Sequence, residues 1–263
     1  MTGMLQSGSA HGRSACLLAL VLPVLAAPFV GSFLGVLIAR LPVGLPVVVA
    51  RSRCEACERV LGPIDMVPLV SYAVLRGRCR TCRAPIGAEH LAVELAALGL
   101  AFWALTVDTE PLRLWIDCGL GWALLALGWI DWRHFRLPDV ITLPLLLAGL
   151  AVTWLEAPDD LTAHAIGAAV AYLGFRALAW GYRVLRGRDG LGQGDAKLLA
   201  AGGAWLGWEA LPHVILIAAV CGIVVALVTA VRHGRLDGGA RIPFGPCLGF
   251  SIWLVWLYGL YRM

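Results

Sequence analysis

The sequence predicts an all-α polytopic membrane protein, and three observations carry that prediction. The chain of 263 residues is 60% hydrophobic and only 14% charged, with a mean hydropathy of +0.80. A soluble domain of this size carries about a quarter charged residues. The apolar residues gather in blocks of roughly 17–25, the length that crosses about 30 Å of hydrocarbon. Basic residues fall on alternate connections between the blocks, as the positive-inside rule requires. A soluble globular protein is thereby excluded.

About eight transmembrane helices are expected, at 15–39, 91–107, 112–130, 140–156, 161–182, 197–209, 213–231 and 244–261. The first block follows Arg13 in the manner of a signal peptide. It is too long for an h-region, however, and no small-residue cleavage site follows before Arg40, so it is read as a span. The sixth is short and carries Gly202 and Gly203, which suggests a tilted or partial span.

Orientation follows from the arginines. Arg40, Arg51, Arg53, Arg59, Arg76, Arg78, Arg80 and Arg83 crowd the 40–90 segment. Arg133 and Arg136, then Arg183, Arg186, Arg188 and Lys197, then Arg232, Arg235 and Arg241 mark later connections on the same side. The opposite connections carry Asp108 and Glu110, then Glu156, Asp159 and Asp160. The N-terminus is therefore expected outside and the 40–90 segment in the cytoplasm. The net charge of +4 is explained by this topology. With no continuous basic stripe, no nucleic-acid partner is expected. The chain divides into an N-terminal segment with the first helix at 1–39, a cytoplasmic insert at 40–90, and a membrane-embedded domain at 91–263.

Four of the eight cysteines lie in the insert as Cys54-x-x-Cys57 and Cys79-x-x-Cys82, with 21 residues between the pairs. Two such pairs complete a tetrahedral thiolate site, and four protein ligands leave no open position, so a structural zinc knuckle is expected. Nearby arginines favour thiolates. The alternatives are two disulfides, which a reducing cytoplasm disfavours, and four free thiols. So small an insert needs such a clip to hold together. Cys16, Cys118, Cys221 and Cys247 read as single packing residues within spans.

Carboxylates at the edge of the bilayer are costly, which makes each a functional candidate. Asp131 ends the third span in Trp129-Ile130-Asp131-Trp132-Arg133, where the helix dipole disfavours an anion. Asp195 sits in Gly192-Gln193-Gly194-Asp195, and glycines there allow another chain to approach closely. Asp139, after Pro138, reads as the N-cap of the fourth span. Asp131 and Asp195 are thus the candidate catalytic pair: two carboxyls that share a proton let one activate water while the other donates to a scissile carbonyl. No serine or cysteine nucleophile arrangement competes. His134 reads either as a loop histidine or as a group tuning Asp131. His164 and His213 are single residues toward the outer face, and the role of Glu94 is open.

These residues resemble a family. Gly192-Gln193-Gly194-Asp195 matches the G-x-G-D signature of membrane aspartic proteases. The wider pattern is similar to the bacterial type IV prepilin peptidases, which serve type IV pili and type II secretion. It includes Gly31-Ser32-Phe33-Leu34, Arg40-Leu41-Pro42, both cysteine pairs, Pro68-Leu69-Val70-Ser71-Tyr72, Leu137-Pro138-Asp139 and Gly194-Asp195-Ala196-Lys197. The resemblance implies an enzyme of the bacterial inner membrane with Asp131 and Asp195 catalytic at the cytoplasmic face. It implies cleavage of a prepilin or pseudopilin leader beside its apolar N-terminal helix. It also implies N-methylation of the new terminus with S-adenosyl-L-methionine, a donor for which the sequence displays no glycine-rich binding loop. Three places depart from the pattern: Gly35 stands for Asn, Asp65-Met66-Val67-Pro68 for Asp-Asn-Ile-Pro, and Glu89-His90-Leu91 for Arg-Tyr-Pro. All lie away from the aspartates.

Three other readings account for part of the pattern. A peptidase without methyl transfer would keep the same two aspartates. A proton-coupled transporter predicts inverted repeats and acids at mid-membrane, and neither is visible. A zinc scaffold without catalysis leaves the glycine-flanked Asp195 unexplained.

Overall fold

The structure is a computed structural model that describes residues 10–47, 51–187, 192–233 and 243–259, with the side chains of the first helix described from Leu18 onward. Arg188, Arg235 and Arg241, and the side chains of Arg13, Ser14 and Cys16, lie outside the described residues. The described helices are α1 (Ala10–Arg40), α2 (Val70–Val74), α3 (Ala88–Val107), α4 (Pro111–His134), α5 (Asp139–Glu156), α6 (Leu161–Arg186), α7 (Gln193–Leu206), α8 (Leu211–His233) and α9 (Gly245–Tyr258). All but α2 correspond in order to the expected spans.

Among the described residues, six stretches are long and apolar enough to cross a membrane, and they are carried chiefly by α1, α3, α4, α5, α6 and α8. Only 11% of the most apolar window of α8 is buried inside the protein. Water would not tolerate so much exposed leucine, isoleucine and valine, and lipid does. The α4 window is 61% buried and runs through protein interior. At 14 residues, α7 and α9 are shorter. A helix of that length rises about 21 Å, less than the hydrocarbon thickness. In place of the sixth expected span at 197–209 stands α7, which begins earlier and ends sooner, and Asp195 lies inside its first turn.

The chain forms two compact units. One comprises residues 1–37 and 46–122, the other 38–45 and 123–263. In the first, α1 meets α3 where Gly31 lies on Glu94: a Cβ at Gly31 would sit 2.6 Å from the Glu94 Cα. The Trp122 indole, on α4, donates to Ala97 O on α3 at 3.0 Å. The open role of Glu94 is filled here. Buried at 7% exposure, it accepts the backbone N–H of Leu69 at 2.8 Å. Leu69 has φ 60°, a strained value for a leucine. The carboxylate thus fixes a bent stretch of the insert onto α3.

In the second unit α7 is the central helix, packed against α5, α6 and α9, and every residue from Leu198 to Leu206 is buried. Its shortness follows, since a helix enclosed by protein need not span lipid. Two glycines bring α6 and α7 into backbone contact: a Cβ on Gly203 would lie 2.5 Å from the Gly167 C and O atoms. Small residues permit such approach in membrane bundles. At the end of the unit away from the aspartates, His164 Nδ1 bonds Thr153 Oγ1 and Ala204 O, each at 3.0 Å, joining α5, α6 and α7. His164, a single residue toward the outer face, thus serves as a link between helices.

Gly203→Ala should destabilise the protein by about 1–3 kcal/mol, because the new methyl meets backbone that cannot swing aside. A lowered thermal midpoint in detergent is expected, and an unchanged midpoint would contradict this packing.

Candidate active site

Asp131 lies in the last turn of α4, which ends as Phe135 turns to φ 52° and its N–H returns to Asp131 O at 2.9 Å. Its carboxyl is buried, 6% exposed, at a helix end whose dipole repels an anion. One partner offsets this: the N–H of Gly245, the first residue of α9, donates to Asp131 Oδ2 at 2.8 Å. A Cβ at Gly245 would stand 2.7 Å from that oxygen. No other residue type fits there without moving the carboxylate.

Asp195 enters from the other side. Gly192 is the N-cap of α7, so Asp195 is the third helical residue. Its carboxyl folds back to accept the Gly192 N–H and lies within electrostatic reach of Asp131. Asp195 thus satisfies a backbone amide at the start of its own helix while its charge meets that of Asp131. Its helix N-terminus favours an anion, whereas the α4 terminus does not. The environments of the two carboxyls therefore differ while their charges interact, the condition for sharing one proton.

The expectation that Asp139 is the N-cap of α5 is corrected by the structure. Pro138 occupies the cap position and no side chain caps α5. The Asp139 carboxylate instead accepts from Lys197 Nζ at 2.5 Å. His134, half-buried, is the last residue of α4. Cys221 and Cys247, expected to be single, share a thiol hydrogen bond between α8 and α9. Gly245 is the site residue that sequence reasoning missed. The only available signal was its setting in Pro243-Phe244-Gly245-Pro246, two prolines around a glycine at a span entrance.

In the first unit the two cysteine pairs come together. The four sulfurs lie within 4.8 Å of one another, with Cys54 Sγ and Cys82 Sγ 3.8 Å apart. A tetrahedron with metal–sulfur bonds of about 2.3 Å has edges of about 3.8 Å, so the donor set fits a thiolate-bound metal. The thiols are free, not disulfide-linked. The cluster is built from a structural repeat. Cys54 N bonds Arg59 O, Glu58 N bonds Cys54 O, and Leu61 N bonds Ser52 O; twenty-five positions on, Cys79 N bonds Ala84 O, Arg83 N bonds Cys79 O, and Ile86 N bonds Gly77 O. Glu58 and Arg83 share a positive φ, 54° and 57°. Backbone amides, more than the arginines, favour thiolate at Cys54 and Cys79, whereas burial and the facing thiols push Cys82 up to about 11. The Cys57 N–H lowers Cys54, and the Cys82 N–H leads in lowering Cys79 to about 6.

Asp65 joins the two knuckles. It accepts from Arg59 of the first and from Arg80 Nε of the second at 2.9 Å, and from Gly62 N at 3.2 Å. Arg59 also donates to Thr81 Oγ1 at 2.9 Å. Burial works against the Asp65 charge, but the Gly62 amide, Arg80 and Arg59 hold its carboxyl below the usual range. The other two departures from the family pattern face each other: the site of a Cβ on Gly35 lies 2.5 Å from His90 Nδ1. The imidazole fills the place where a side chain at 35 would stand.

Two interacting carboxyls carried by separate helices of a polytopic membrane protein define the class of membrane aspartic peptidases. The sequence model of the type IV leader peptidase family matches residues 118–227, and that of the bacterial peptidase A24 N-terminal domain matches residues 25–108. The chain is 44% identical to a prepilin leader peptidase/N-methyltransferase of Burkholderia pseudomallei (strain K96243), over 83% of this chain and 79% of that one. Relatives with the same description from Aeromonas hydrophila, 36% identical over 88% of this chain and 87% of that one, and Pseudomonas aeruginosa, 35% identical over the same shares, also match. No solved structure matches. The chain belongs to the type IV leader peptidase family.

Gly245→Ala should lower kcat on the order of 100-fold with KM little changed if Asp131 is catalytic, because it displaces that candidate carboxyl by a fraction of an ångström or more. Steady-state cleavage by folded protein tests this, and retained kcat would contradict it. Asp65→Asn should speed loss of bound metal to a chelator by roughly tenfold, since outer partners hold the ligands in place. A thiolate–metal absorption signal after cobalt substitution reads the rate, and an unchanged rate would remove Asp65 from that role.

Proposed function

We propose that this protein cleaves the leader peptide of type IV prepilins or type II secretion pseudopilins with Asp131 and Asp195, and then N-methylates the new terminus. The observation that carries the reading is the meeting of Asp131 and Asp195 at one end of the second unit, with Gly245 N–H on Asp131 and Gly192 N–H on Asp195. With one proton between them, one carboxylate takes a proton from water as it attacks the scissile carbonyl. The protonated partner donates to the carbonyl oxygen, and the proton then passes to the leaving amine. Gly245 fixes one oxygen of Asp131, so the carboxyl presents the other to the reaction.

The basic connections support a reading in which this end of the bundle faces the cytoplasm. A substrate would bring its apolar N-terminal helix alongside the lipid-facing spans, with the scissile bond at the surface. Residues 91–263 then form the peptidase part, and residues 40–90 form an insert clipped by zinc through Cys54, Cys57, Cys79 and Cys82. With all four positions filled by protein, the metal supplies structure and no open site for a reactant.

Methyl transfer draws on S-adenosyl-L-methionine. Among the described residues no strand-and-glycine-loop site for it forms. A cavity of about 440 Å³ beside α8 is lined by apolar side chains such as Leu216, Val220 and Phe250 and offers no group for a charged donor. The cleavage chemistry needs none of it.

Asp131→Asn and Asp195→Asn should each abolish cleavage of a prepilin-like peptide while leaving the folded protein intact. Near wild-type activity in either would overturn the assignment. Mass spectrometry of the processed terminus, with and without S-adenosyl-L-methionine, should show a gain of one methyl group only when the donor is present.

A further inference from the structure

The geometry points to a second function for the Asp139–Lys197 pair: it is a latch that sets Asp195 opposite Asp131, which makes both of its members positioning residues for the cleaving reaction. The inference rests on the aspartate-pair reading above and adds to it.

Lys197 Nζ reaches Asp139 Oδ1 at 2.5 Å across 58 residues of sequence. Asp139 is the first residue of α5, and Lys197 lies two residues beyond Asp195 on α7. Two residues along a helix are about 200° apart around its axis. Fixing Lys197 against α5 therefore fixes the rotation of α7, and with it the direction in which Asp195 points. A second contact on the same segment supports this. A Cβ on Gly194 would lie 2.8 Å from the Leu137 Cβ, so the first turn of α7 rests directly on buried Leu137.

The segment from Leu137 to Asp139 thus touches residues on both sides of Asp195, at 194 and 197. The same segment begins six residues beyond Asp131. One short stretch of chain therefore braces both carboxyls, through its covalent link to α4 and through steric and ionic contacts with α7. The glycine contact with α6 holds α7 near its far end, and at its first turn the ion pair specifies the rotation. Because both groups are partly exposed, the pair adds little to stability, and its effect should fall on geometry.

Steady-state cleavage of a prepilin-like peptide by Asp139→Asn, Lys197→Met, Lys197→Arg and the charge-reversed double variant Asp139→Lys/Lys197→Asp tests the latch. The thermal midpoint of each is measured in the same detergent, and Asp195→Asn serves as control. The two neutralised variants should lose about five- to tenfold in kcat with KM within about twofold, as a misdirected carboxyl requires. Lys197→Arg should stay near wild type. Reversal should recover much of the loss, and midpoints should stay near wild type throughout. Wild-type kcat in both neutralised variants would overturn the latch, as would a reversed pair no better than the single changes. Activity in Asp195→Asn would instead overturn the aspartate pair.

Discussion

The structure depends on holding Asp131 as a buried carboxyl at the C-terminal end of α4, where neither the helix dipole nor lipid favours it. A single backbone N–H, from Gly245, meets one of its oxygens. Bringing that amide so close requires a residue without a side chain at the start of α9. It also requires α9 to begin level with the end of α4. Asp195 must then arrive at the same level on α7, which begins there and is enclosed by α5, α6 and α9. The shortness of α7, the glycine contact of α6 with α7 and the Leu137–Asp139 brace all serve the same placement.

The insert obeys a separate constraint. So small a segment buries too little apolar surface to fold alone. Its solution is one ten-residue knuckle used twice, tied by Asp65 between arginines from both copies and by four sulfurs spaced for one metal. Glu94 then fastens the bent chain at Leu69 to α3. The insert is thereby referenced to α3 at a fixed point.

Much of this was legible in the sequence for physical reasons. Span lengths are dictated by hydrocarbon thickness, so the apolar blocks marked the helices. Asp131 and Asp195 stood out because an acid at a membrane edge is costly, and Asp131 because it also opposes its helix dipole. What was hidden is long-range. Gly245 lies 114 residues from the carboxyl that it holds, and nothing local distinguishes it from a helix-entry glycine. Asp139 looked like a cap because it follows a proline, but an ammonium 58 residues away claimed its carboxylate. The extent of α7 was misjudged because apolar length signals a span only for helices that face lipid. The knuckle repeat emerges in backbone hydrogen bonds, since little beyond Arg-Cys-x-x-Cys recurs in the residues.

The central claim is that Asp131 and Asp195 work as one proton-sharing unit. The pH dependence of kcat/KM for cleavage by the detergent-solubilised protein tests it most directly. A shared proton predicts a bell, with activity falling on the acid side as both carboxyls protonate and on the alkaline side as both ionise. A profile with a single limb, or one flat from about pH 4 to 9, would contradict a carboxyl pair that must hold one proton to act.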